Sequence, residues 1–546
     1  MAEKIRILIQ IRHTPELRAA LKARKSLASN VSSLTVPGLH VDEGYTPVQV
    51  PSKKPRDSVG PTEVGRLFTY DFRPDQATYL IRGEVEDEDT LNKLMKRAAE
   101  DPNIVGIFSD PVISAIAVCP SGPIGNHEDV KQLLKIPSLT AQGMDGKHVL
   151  VAIVDTGINL DYLRNKGLDP GFDSEKSWTP IDGLTPGNIP VDHGTMCAFD
   201  VCLSAPSCTL LDFALLQSRT SGGSIMDGFL SDAVKAYSKL LNLMLNTDPK
   251  PALVVNNSWG MFHPSWDFPP DHPGNYSDNP DHPFNIIVES LEDAGADILF
   301  AAGNCGRDCP DPRCKGATER PIYGANSHPS VLCVAGCTIN KIRVGYSSQG
   351  PGHLEQNKPD ITAYTHFRGS GVYSADSGTS AACPVAAGVI AAIRTRYGLD
   401  KVSPSQLRNI VRRSAEDLGL IGFDYDHGYG LINPTAIVET LEQIDTRIVH
   451  VGELVSGRLK RTGDTALFKI PVGNALNIEL DGPQGVDFDI YVKKDAPPTV
   501  TDYDYRGFTG SADEKIRIEP VEPGEYYVMV RSYRGAGDFS LKAVLE

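Results

Sequence analysis

Four short motifs hold side chains that could cooperate in acyl transfer to a serine. They are Asp155 in VAIVDTG, His193 in DHGT, Asn304 in LFAAGN and Ser380 in SGTSAACP. A serine hydroxyl is a weak nucleophile that needs a neighbouring base, and an imidazole base needs a carboxylate that fixes its tautomer. The tetrahedral intermediate also needs preorganised hydrogen-bond donors for its oxyanion. The four residue types therefore predict a nucleophile, a base, an orienting carboxylate and an oxyanion donor.

Each motif carries little information by itself, because short sequence patterns recur by chance. An isolated Asp, His or Ser serves more often in a cap, a turn or a solvated loop than in catalysis. The DTG of Asp155 also occurs in retroviral-type aspartic proteases, but that class needs an all-β barrel around the motif. Here the motif follows an apolar strand of the kind found in parallel sheets. The four motifs together, each at the end of a predicted element, favour acyl transfer.

The segment 129–445 contains the elements that would position these side chains. Apolar strands alternate there with helical patterns, which predicts a parallel sheet covered by helices on both faces. In such sheets the chemistry lies beyond the carboxyl ends of the strands. The predicted strands include Val149–Val154, Leu253–Val255, Ile298–Ala301 and Val331–Val334, and two of the predicted helices cover 227–245 and 285–295.

Two further regions flank this segment. Residues 1–128 predict a small α+β unit with one helix after Thr14-Pro15 and a second along the apolar stripe from Leu91 to Ala98. Its strands are predicted at 5–12, Tyr79–Val85 and Ile104–Phe108. From about residue 448 the pattern changes to short alternating segments separated by Gly, Pro and Asp turns. This pattern predicts an all-β sandwich.

Residues 129–446 resemble a subtilisin-type serine protease, because the motifs occur in the order Asp, His, Ser that is typical of that family. The resemblance implies a doubly wound parallel sheet. It implies that Asp155 orients the base, that His193 is the general base and acid, and that Ser380 is the nucleophile. Asn304 would then donate its side-chain amide to the oxyanion.

The same resemblance implies two segments that bind the substrate main chain. One is formed by Ser258, Trp259 and Gly260 in VVNNSWG, and the opposite one by Ser221, Gly222 and Gly223. The implied activity is that of an endopeptidase, which cleaves a protein or peptide substrate through an acyl-enzyme on Ser380. Two alternatives stay open: a peptide ligase or macrocyclase that uses the same site, and a non-catalytic binding scaffold.

The outer regions carry resemblances of their own. Residues 1–128 follow the element order of a subtilisin propeptide, a ferredoxin-like α+β domain. This implies that the N-terminal domain inhibits its own chain, and that self-cleavage occurs within Val112–Glu128. Residues 447–546 resemble the bacterial pre-peptidase C-terminal domain in the stretches SGRLKRTGDTALFKIPVG, VDFDIYVKK and PGEYYVMVRS.

Two loops leave several interpretations open. The insertion 261–284, rich in Pro, Asp and His, either shapes the rim of the cleft or decorates the surface, and a metal site in it is a weaker third possibility. Cys305, Cys309 and Cys314 could form a disulfide, stay free or bind zinc. The helix that begins at His193 leaves no spare segment for the calcium loop of many secreted subtilisins. We therefore expect neither a metal nor another cofactor.

Composition excludes some partners. The formal net charge of −16 over 546 residues argues against nucleic acid and against anionic membranes, because both require a cationic face. The longest apolar run, Ala381–Ile393, is too short to span a bilayer. The first residues alternate in period two and do not resemble a secretion signal, which predicts a cytoplasmic chain as encoded. The C-terminal resemblance instead suggests export, and sequence leaves this conflict open.

Overall fold

A computed structural model describes most of the chain as two compact units. Unit one comprises 1–54, 70–396 and 407–435, and unit two comprises 55–69, 397–406 and 436–546. The described residues are 4–12, 37–42, 44–55, 68–71, 73, 77–115, 122–217, 226–446, 449–459, 462–472, 476–495, 497–500, 502–519 and 524–545. In those ranges no helix is long and apolar enough to cross a membrane.

The N-terminal part of unit one is an antiparallel sheet covered by a helix. Its strands pair in the order β2-β6-β1-β7, and β3 also pairs with β6. Helix α1 (Glu88–Glu100) begins at the cap Asp87 and buries Leu91, Leu94 and Ala98. The strands up to the end of this part are β1 (Ile5–Arg12), β2 (Leu39–Val41), β3 (Val48–Val50), β4 (Ser52–Pro55), β5 (Phe68–Asp71), β6 (Thr78–Val85), β7 (Ile104–Ser109) and β8 (Val112–Ala115).

The rest of unit one is built on a seven-stranded parallel sheet. Its order is β10-β11-β9-β13-β15-β16-β17, so β9 and β15, the strands that precede Asp155 and Asn304, lie near its centre. The strands of this part are β9 (Val149–Val154), β10 (Gly171–Phe172), β11 (Thr209–Phe213), β12 (Asp227–Phe229), β13 (Ala252–Asn257), β14 (Trp259–Gly260), β15 (Ala296–Ala301), β16 (Leu332–Cys337) and β17 (Ile361–Tyr364).

Helices cover the sheet, and two of them begin at or just before His193 and Ser380. Helix α8 is buried along its whole length and packs on β13, β15, β16 and β17. The helices that follow α1 are α2 (His127–Leu133), α3 (Ile136–Ala141), α4 (Leu160–Asn165), α5 (His193–Cys202), α6 (Leu230–Asn246), α7 (Pro283–Ala294), α8 (Thr379–Arg394), α9 (Pro404–Ser414) and α10 (Pro434–Thr446).

Unit two ends in a β-sandwich. Two four-stranded antiparallel sheets, in the orders β18-β25-β20-β23 and β19-β24-β21-β22, enclose one apolar core that includes Phe468, Phe488 and Phe539. The strands are β18 (Leu454–Leu459), β19 (Thr465–Val472), β20 (Leu476–Asp481), β21 (Asp487–Lys494), β22 (Tyr505–Gly507), β23 (Glu514–Ile518), β24 (Gly524–Arg534) and β25 (Gly537–Leu545).

The predicted fold class is confirmed for all three regions. The structure contains the parallel sheet, the small N-terminal α/β region and the all-β C-terminal region, while the predicted bounds of 1–128, 129–446 and 447–546 stay a prediction. The helix predicted after Thr14-Pro15 lies outside the described residues. The helix predicted at 227–245 begins later, because Asp227–Phe229 forms a strand and α6 follows it at Leu230.

Candidate active site

The carboxylate of the site lies at the carboxyl end of a central strand. Asp155 follows β9 directly and is fully buried. Its Oδ1 accepts the backbone N–H of Thr156 at 2.7 Å and contacts Nδ1 of His193 at 2.8 Å. A buried carboxylate at this distance keeps the proton on Nδ1 and leaves Nε2 as the basic nitrogen.

The imidazole is fixed by the start of helix α5. His193 is the first residue of this helix, and the carboxylate of Asp192 caps it by accepting the His193 N–H at 2.9 Å. The next residue must be glycine, because a Cβ on Gly194 would lie 2.5 Å from the carbonyl oxygen of Gly157. The close approach brings the start of the helix against the turn that carries Asp155.

The surroundings of His193 raise its pKa. Burial lowers the pKa of His193, but the charge of Asp155 and the hydrogen bond to it outweigh burial, so that the pKa is raised above its ordinary value. The Nε2 atom is buried and accepts or donates no hydrogen bond among the described residues. This nitrogen is therefore available to a proton delivered during a reaction.

Ser380 is presented by the start of helix α8. The cap residue Gly378 has φ of 80°, a conformation that L side chains rarely adopt, so the turn before the serine requires glycine. Pro384 lies within the helix and lacks the N–H that would bond to the Ser380 carbonyl oxygen. That oxygen instead accepts the hydroxyl of Ser258 at 3.0 Å, and the Ser380 hydroxyl donates to the Ser258 carbonyl oxygen at 3.3 Å.

Asn304 is oriented by the residue before the serine. Its Oδ1 accepts the backbone N–H of Thr379 at 3.0 Å and the Thr379 hydroxyl at 3.1 Å. Asn304 is fully buried, so these two bonds fix the amide plane. They turn the amide nitrogen away from Thr379, as a side-chain donor to an oxyanion requires.

A strand of the chain itself occupies the groove beside these residues. Strand β8 pairs antiparallel with β12 on one side and with β14 on the other. Ser114 lies opposite both Asp227 and Gly260, and Ala115 lies opposite Trp259. Trp259 itself is buried between Phe284 and Phe300 and anchors β14 to the core.

Of the two segments predicted to bind the substrate main chain, one lies within the described residues and the other does not. Ser258, Trp259 and Gly260 line the groove, whereas Ser221, Gly222 and Gly223 lie outside the described residues. The described strand on the opposite side is Asp227–Phe229, which sequence reasoning missed. Its glycine could have indicated it, because a Cβ on Gly228 would lie 2.9 Å from the Leu215 carbonyl oxygen.

A small cavity next to Asn304 is lined mainly by apolar groups. Its wall includes Cys305, which forms a disulfide with Cys314, and Cys309 is also disulfide-bonded, so of the three interpretations of these cysteines the structure has the disulfide. Burial and the charge of Asp278 raise the pKa of Tyr323 to about 12, so its phenol is neutral. The lining residues, none of them a carboxylate, are Gly260, Met261, Phe262, Ala302, Gly303, Asn304, Cys305, Pro321, Tyr323 and Asn326.

Two buried groups beside the site were not singled out as functional from sequence. The Cys197 Sγ lies 3.8 Å from both Asp155 Oδ2 and His193 Nδ1, and 3.6 Å from the Ser380 carbonyl oxygen. Asp200 lies on the same helix, two turns after His193, and its carboxyl neighbours that of Asp376. The spacing of four and seven residues from His193 is the signal that could have found them.

The insertion 261–284 is organised by hydrogen bonds of its own acidic and histidine side chains. Asp267 accepts backbone N–H groups from Tyr276 and Ser277, and His282 accepts that of Phe284. Within the described part of the chain, the one group of three potential metal ligands is Asp155, His193 and Cys197. Among the described residues the insertion gathers no such group.

Comparisons with known proteins agree with this geometry. The model of the subtilase family matches residues 146–430, and that of the bacterial pre-peptidase C-terminal domain matches residues 462–532. Subtilisin DY of Bacillus licheniformis is 28% identical over 314 residues, which cover 56% of this chain and 97% of that protein. Furin of Bos taurus is 27% identical over 329 residues, which cover 56% of this chain and 38% of furin.

A third relative is the halolysin-like extracellular serine protease Nep of Natrialba magadii. It is 28% identical over 250 residues, which cover 40% of this chain and 45% of Nep. The chain therefore spans less than half of furin and of Nep, and nearly all of subtilisin DY.

Proposed function

The chain belongs to the subtilase family, and from that premise we propose that it is a serine endopeptidase that hydrolyses peptide bonds through an acyl-enzyme on Ser380. The observation that carries the proposal is the buried hydrogen bond of 2.8 Å between Asp155 and His193, beside the N-terminus of the helix that presents Ser380. Among the described residues no feature favours ligation or a purely binding role.

In the proposed reaction, Nε2 of His193 takes the hydroxyl proton as Ser380 attacks the substrate carbonyl carbon. Asp155 stabilises the resulting imidazolium, which then protonates the leaving amine. The negative oxygen of the tetrahedral intermediate accepts hydrogen bonds from the Asn304 amide and from the N-terminus of α8. Water, activated by His193 in the same way, then attacks the acyl-enzyme, which releases the acid product and restores the Ser380 hydroxyl.

The test compares Ser380→Ala with the parent chain on a peptide substrate. Loss of the nucleophile should lower kcat by about a million-fold, as removal of a triad serine does in subtilisin. Near-normal hydrolysis by Ser380→Ala would refute the assignment.

We further propose that the N-terminal domain is an intramolecular inhibitor that the enzyme cuts from itself. The pairing of β8 between β12 and β14 supports this, because a peptide substrate would need the same main-chain hydrogen bonds. Contacts at the start of α6 hold the domain in that position. Asp110 accepts the Ser231 N–H at 2.8 Å, and the Tyr45 hydroxyl donates to the Ser231 carbonyl oxygen at 2.9 Å.

The register of β8 narrows the cleavage site. Ala115 lies opposite Trp259, and the residue before Trp259 is Ser258, whose carbonyl oxygen contacts the Ser380 hydroxyl. Ile116 and Ala117 lie outside the described residues, but continuing this register past Ala115 would bring them to the nucleophile, so we expect cleavage just after Ile116 or Ala117. Intact masses of the wild type and of Ser380→Ala test this, because only the wild type should lose the N-terminal fragment. Equal full-length masses with an active wild type would refute self-processing.

The cavity beside Asn304 supports a preference for an apolar residue before the cleaved bond. Its lining offers no carboxylate to a basic side chain, and the chain around the expected cleavage site is itself apolar. A substrate with Leu or Phe at this position should be cleaved with a higher kcat/KM than the same peptide with Arg or Lys. The reverse order would show that another group sets the specificity.

We propose that the protein acts outside the cytoplasm. The disulfide between Cys305 and Cys314 favours an oxidising compartment, and the C-terminal domain type and the extracellular relative favour export. The cytoplasmic location expected from sequence is not supported. Fractionation of the native host, with detection by an antibody to the C-terminal domain, tests the location. A signal confined to the cytoplasm would contradict the proposed export.

A further inference from the structure

The insertion 261–284 holds the last residue of β7 through every polar group of that residue. The Ser109 N–H donates to the Gly274 carbonyl oxygen at 2.8 Å, and its hydroxyl donates to Asp267 at 2.6 Å. The Ser109 carbonyl oxygen accepts Nε2 of His282 at 3.2 Å. Ser109 is 2% exposed, so separating the two surfaces would expose or orphan three buried polar groups at once.

The insertion also completes the apolar core of the N-terminal domain. Phe268 belongs to the same buried cluster as Ile9, Leu94 and Ile107, which come from the sheet and helix of that domain. His282 packs edge-on against Phe108 with 5.5 Å between the ring centroids. The N-terminal domain therefore lacks part of its own core whenever it leaves the insertion.

The two surfaces approach closely at a glycine. A Cβ on Gly274 would lie 2.1 Å from the Ile107 carbonyl oxygen and 2.8 Å from the Phe108 Cα. Both atoms belong to the backbone of β7, so no side chain can move aside. All heavy atoms that a Cβ would meet first belong to the N-terminal domain, so alanine here obstructs the contact between the domains.

The insertion 261–284 is held in its conformation by bonds within itself and to the catalytic domain. Asp267 accepts backbone N–H groups from Tyr276 and Ser277, and the Tyr276 hydroxyl accepts the Ala325 N–H at 2.9 Å. Among the described residues, one of the bonds to Asp267 comes from the N-terminal domain. The loop thus keeps its internal bonds when the domain departs, and it presents a preformed surface.

The imidazole of His282 is a neutral donor in this contact. Burial lowers its pKa to about 4, and its Nδ1 accepts the Phe284 N–H at 3.2 Å, which places the ring proton on Nε2. The carbonyl oxygen of Ser109 accepts that proton. The contact consequently does not depend on a charged histidine.

We propose that the insertion 261–284 is a docking platform that keeps the N-terminal domain on the catalytic domain after the chain has been cut. Processing alone then leaves β8 in the groove, and the platform sets how long inhibition lasts. The proposal rests on the self-processing and inhibition proposed above. It adds that a segment outside the substrate groove controls the release of the inhibitor.

Docking is tested first in the uncut chain, where cleavage plays no part. In full-length Ser380→Ala, amide hydrogen exchange is followed at Ser109 with and without Gly274→Ala. The obstructed contact should raise the exchange rate of the Ser109 amide by at least about tenfold. Asp271→Ala, an exposed change in the same loop, is the matched control and should leave that rate unchanged. An unchanged rate in Gly274→Ala would overturn the proposal.

Retention is then tested in the active chain. After cleavage of the wild type, the N-terminal fragment should co-elute with the catalytic part in size-exclusion chromatography, and peptidase activity should appear slowly. Gly274→Ala should release the fragment and reach full activity at least about tenfold sooner, and the milder Ser109→Ala should lie between the two. A wild-type fragment that separates at once would overturn the proposal.

The two experiments distinguish this inference from the function on which it rests. A wild-type chain that is never cut would refute self-processing, and faster Ser109 exchange in Gly274→Ala would still support docking by the platform. Normal cleavage with equal release from the wild type and from Gly274→Ala would refute the platform and leave the proposed function standing. If Gly274→Ala does not fold, Ser109→Ala decides, because it removes one donor without adding an atom.

Discussion

Replacing Asp200 by asparagine should make the enzyme more stable, by an amount that grows with pH. Asp200 is fully buried, and neither of its oxygens meets an N–H or O–H donor among the described residues. Its neighbour is the carboxyl of Asp376, which already accepts the backbone N–H and the hydroxyl of Ser370. Two carboxyl groups in contact must share a proton, and Asp200 is the group that keeps it.

The direction of the pKa shift fixes the sign of the effect. Burial, with the nearby charge of Asp376, raises the pKa of Asp200 well above its ordinary value. Between the ordinary carboxyl range and this raised pKa, the folded protein retains a proton that the unfolded chain releases. The free energy of unfolding of the wild type therefore falls by about 1.4 kcal/mol for each unit of rising pH. Asparagine imitates the protonated carboxyl as a donor to Asp376 and removes this slope.

Denaturant unfolding of Ser380→Ala with and without Asp200→Asn measures the effect without autolysis. Between pH 5.5 and 7.5 the difference in unfolding free energy should change in favour of asparagine, by at most about 2.7 kcal/mol. The exposed Asp271→Asn is the matched control and should give no such slope. Parallel pH profiles with and without Asp200→Asn would refute the shared proton and with it the burial argument.

Three other substitutions or treatments test separate parts of the site. Asn304→Ala should lower kcat by about 10² to 10³ with little change in KM, because its amide acts on the transition-state oxyanion. Steady-state kinetics tests this, and a change in KM alone would contradict it. In the chain without residues 447–546, EDTA should shift the melting temperature by less than about 2 °C, because helix α5 is unbroken and Asp200, the carboxylate in the interval after His193, is buried against Asp376. A calcium-dependent rise of about 10 °C would contradict this. Removal of residues 447–546 should leave hydrolysis of small peptides intact, since the sandwich lies beyond all the motifs, and loss of activity in a soluble truncated chain would refute that independence.

The positions of the chemical groups could be predicted because they follow from local rules. Asp155 and Asn304 end apolar strands, and the carboxyl ends of parallel strands meet at one edge of the sheet. His193 and Ser380 begin helices, which their flanking polar and glycine residues indicate. Their roles in catalysis stay predictions.

Features that depend on contacts between distant residues could not be predicted from the sequence. For Cys305, Cys309 and Cys314 a disulfide was one of three open choices, beside free thiols and zinc, and sequence did not indicate that Cys305 pairs with Cys314. The proximity of Asp200 to Asp376 arises only when α5 packs against the loop before α8. Hydrophobic periodicity does not predict the burial of Phe268 in the core of another domain, because Phe268 lies in an irregular loop.

The short strand Asp227–Phe229 shows how tertiary contacts override local preference. Its sequence continues directly into helix α6, so periodicity extended the helix backwards over it. Pairing with β8 is what holds these three residues extended. Neither strand carries enough residues to be recognised alone.

The central claim is that Ser380 is the nucleophile of a site completed by Asp155 and His193. The most direct measurement is the labelling of the processed enzyme with a serine-directed fluorophosphonate, followed by peptide mapping of the modified residue. We predict one label per molecule, on Ser380. Ser380→Ala should take up no label, and His193→Ala should be labelled much more slowly. A label on another serine, or equal labelling of Ser380→Ala, would contradict it.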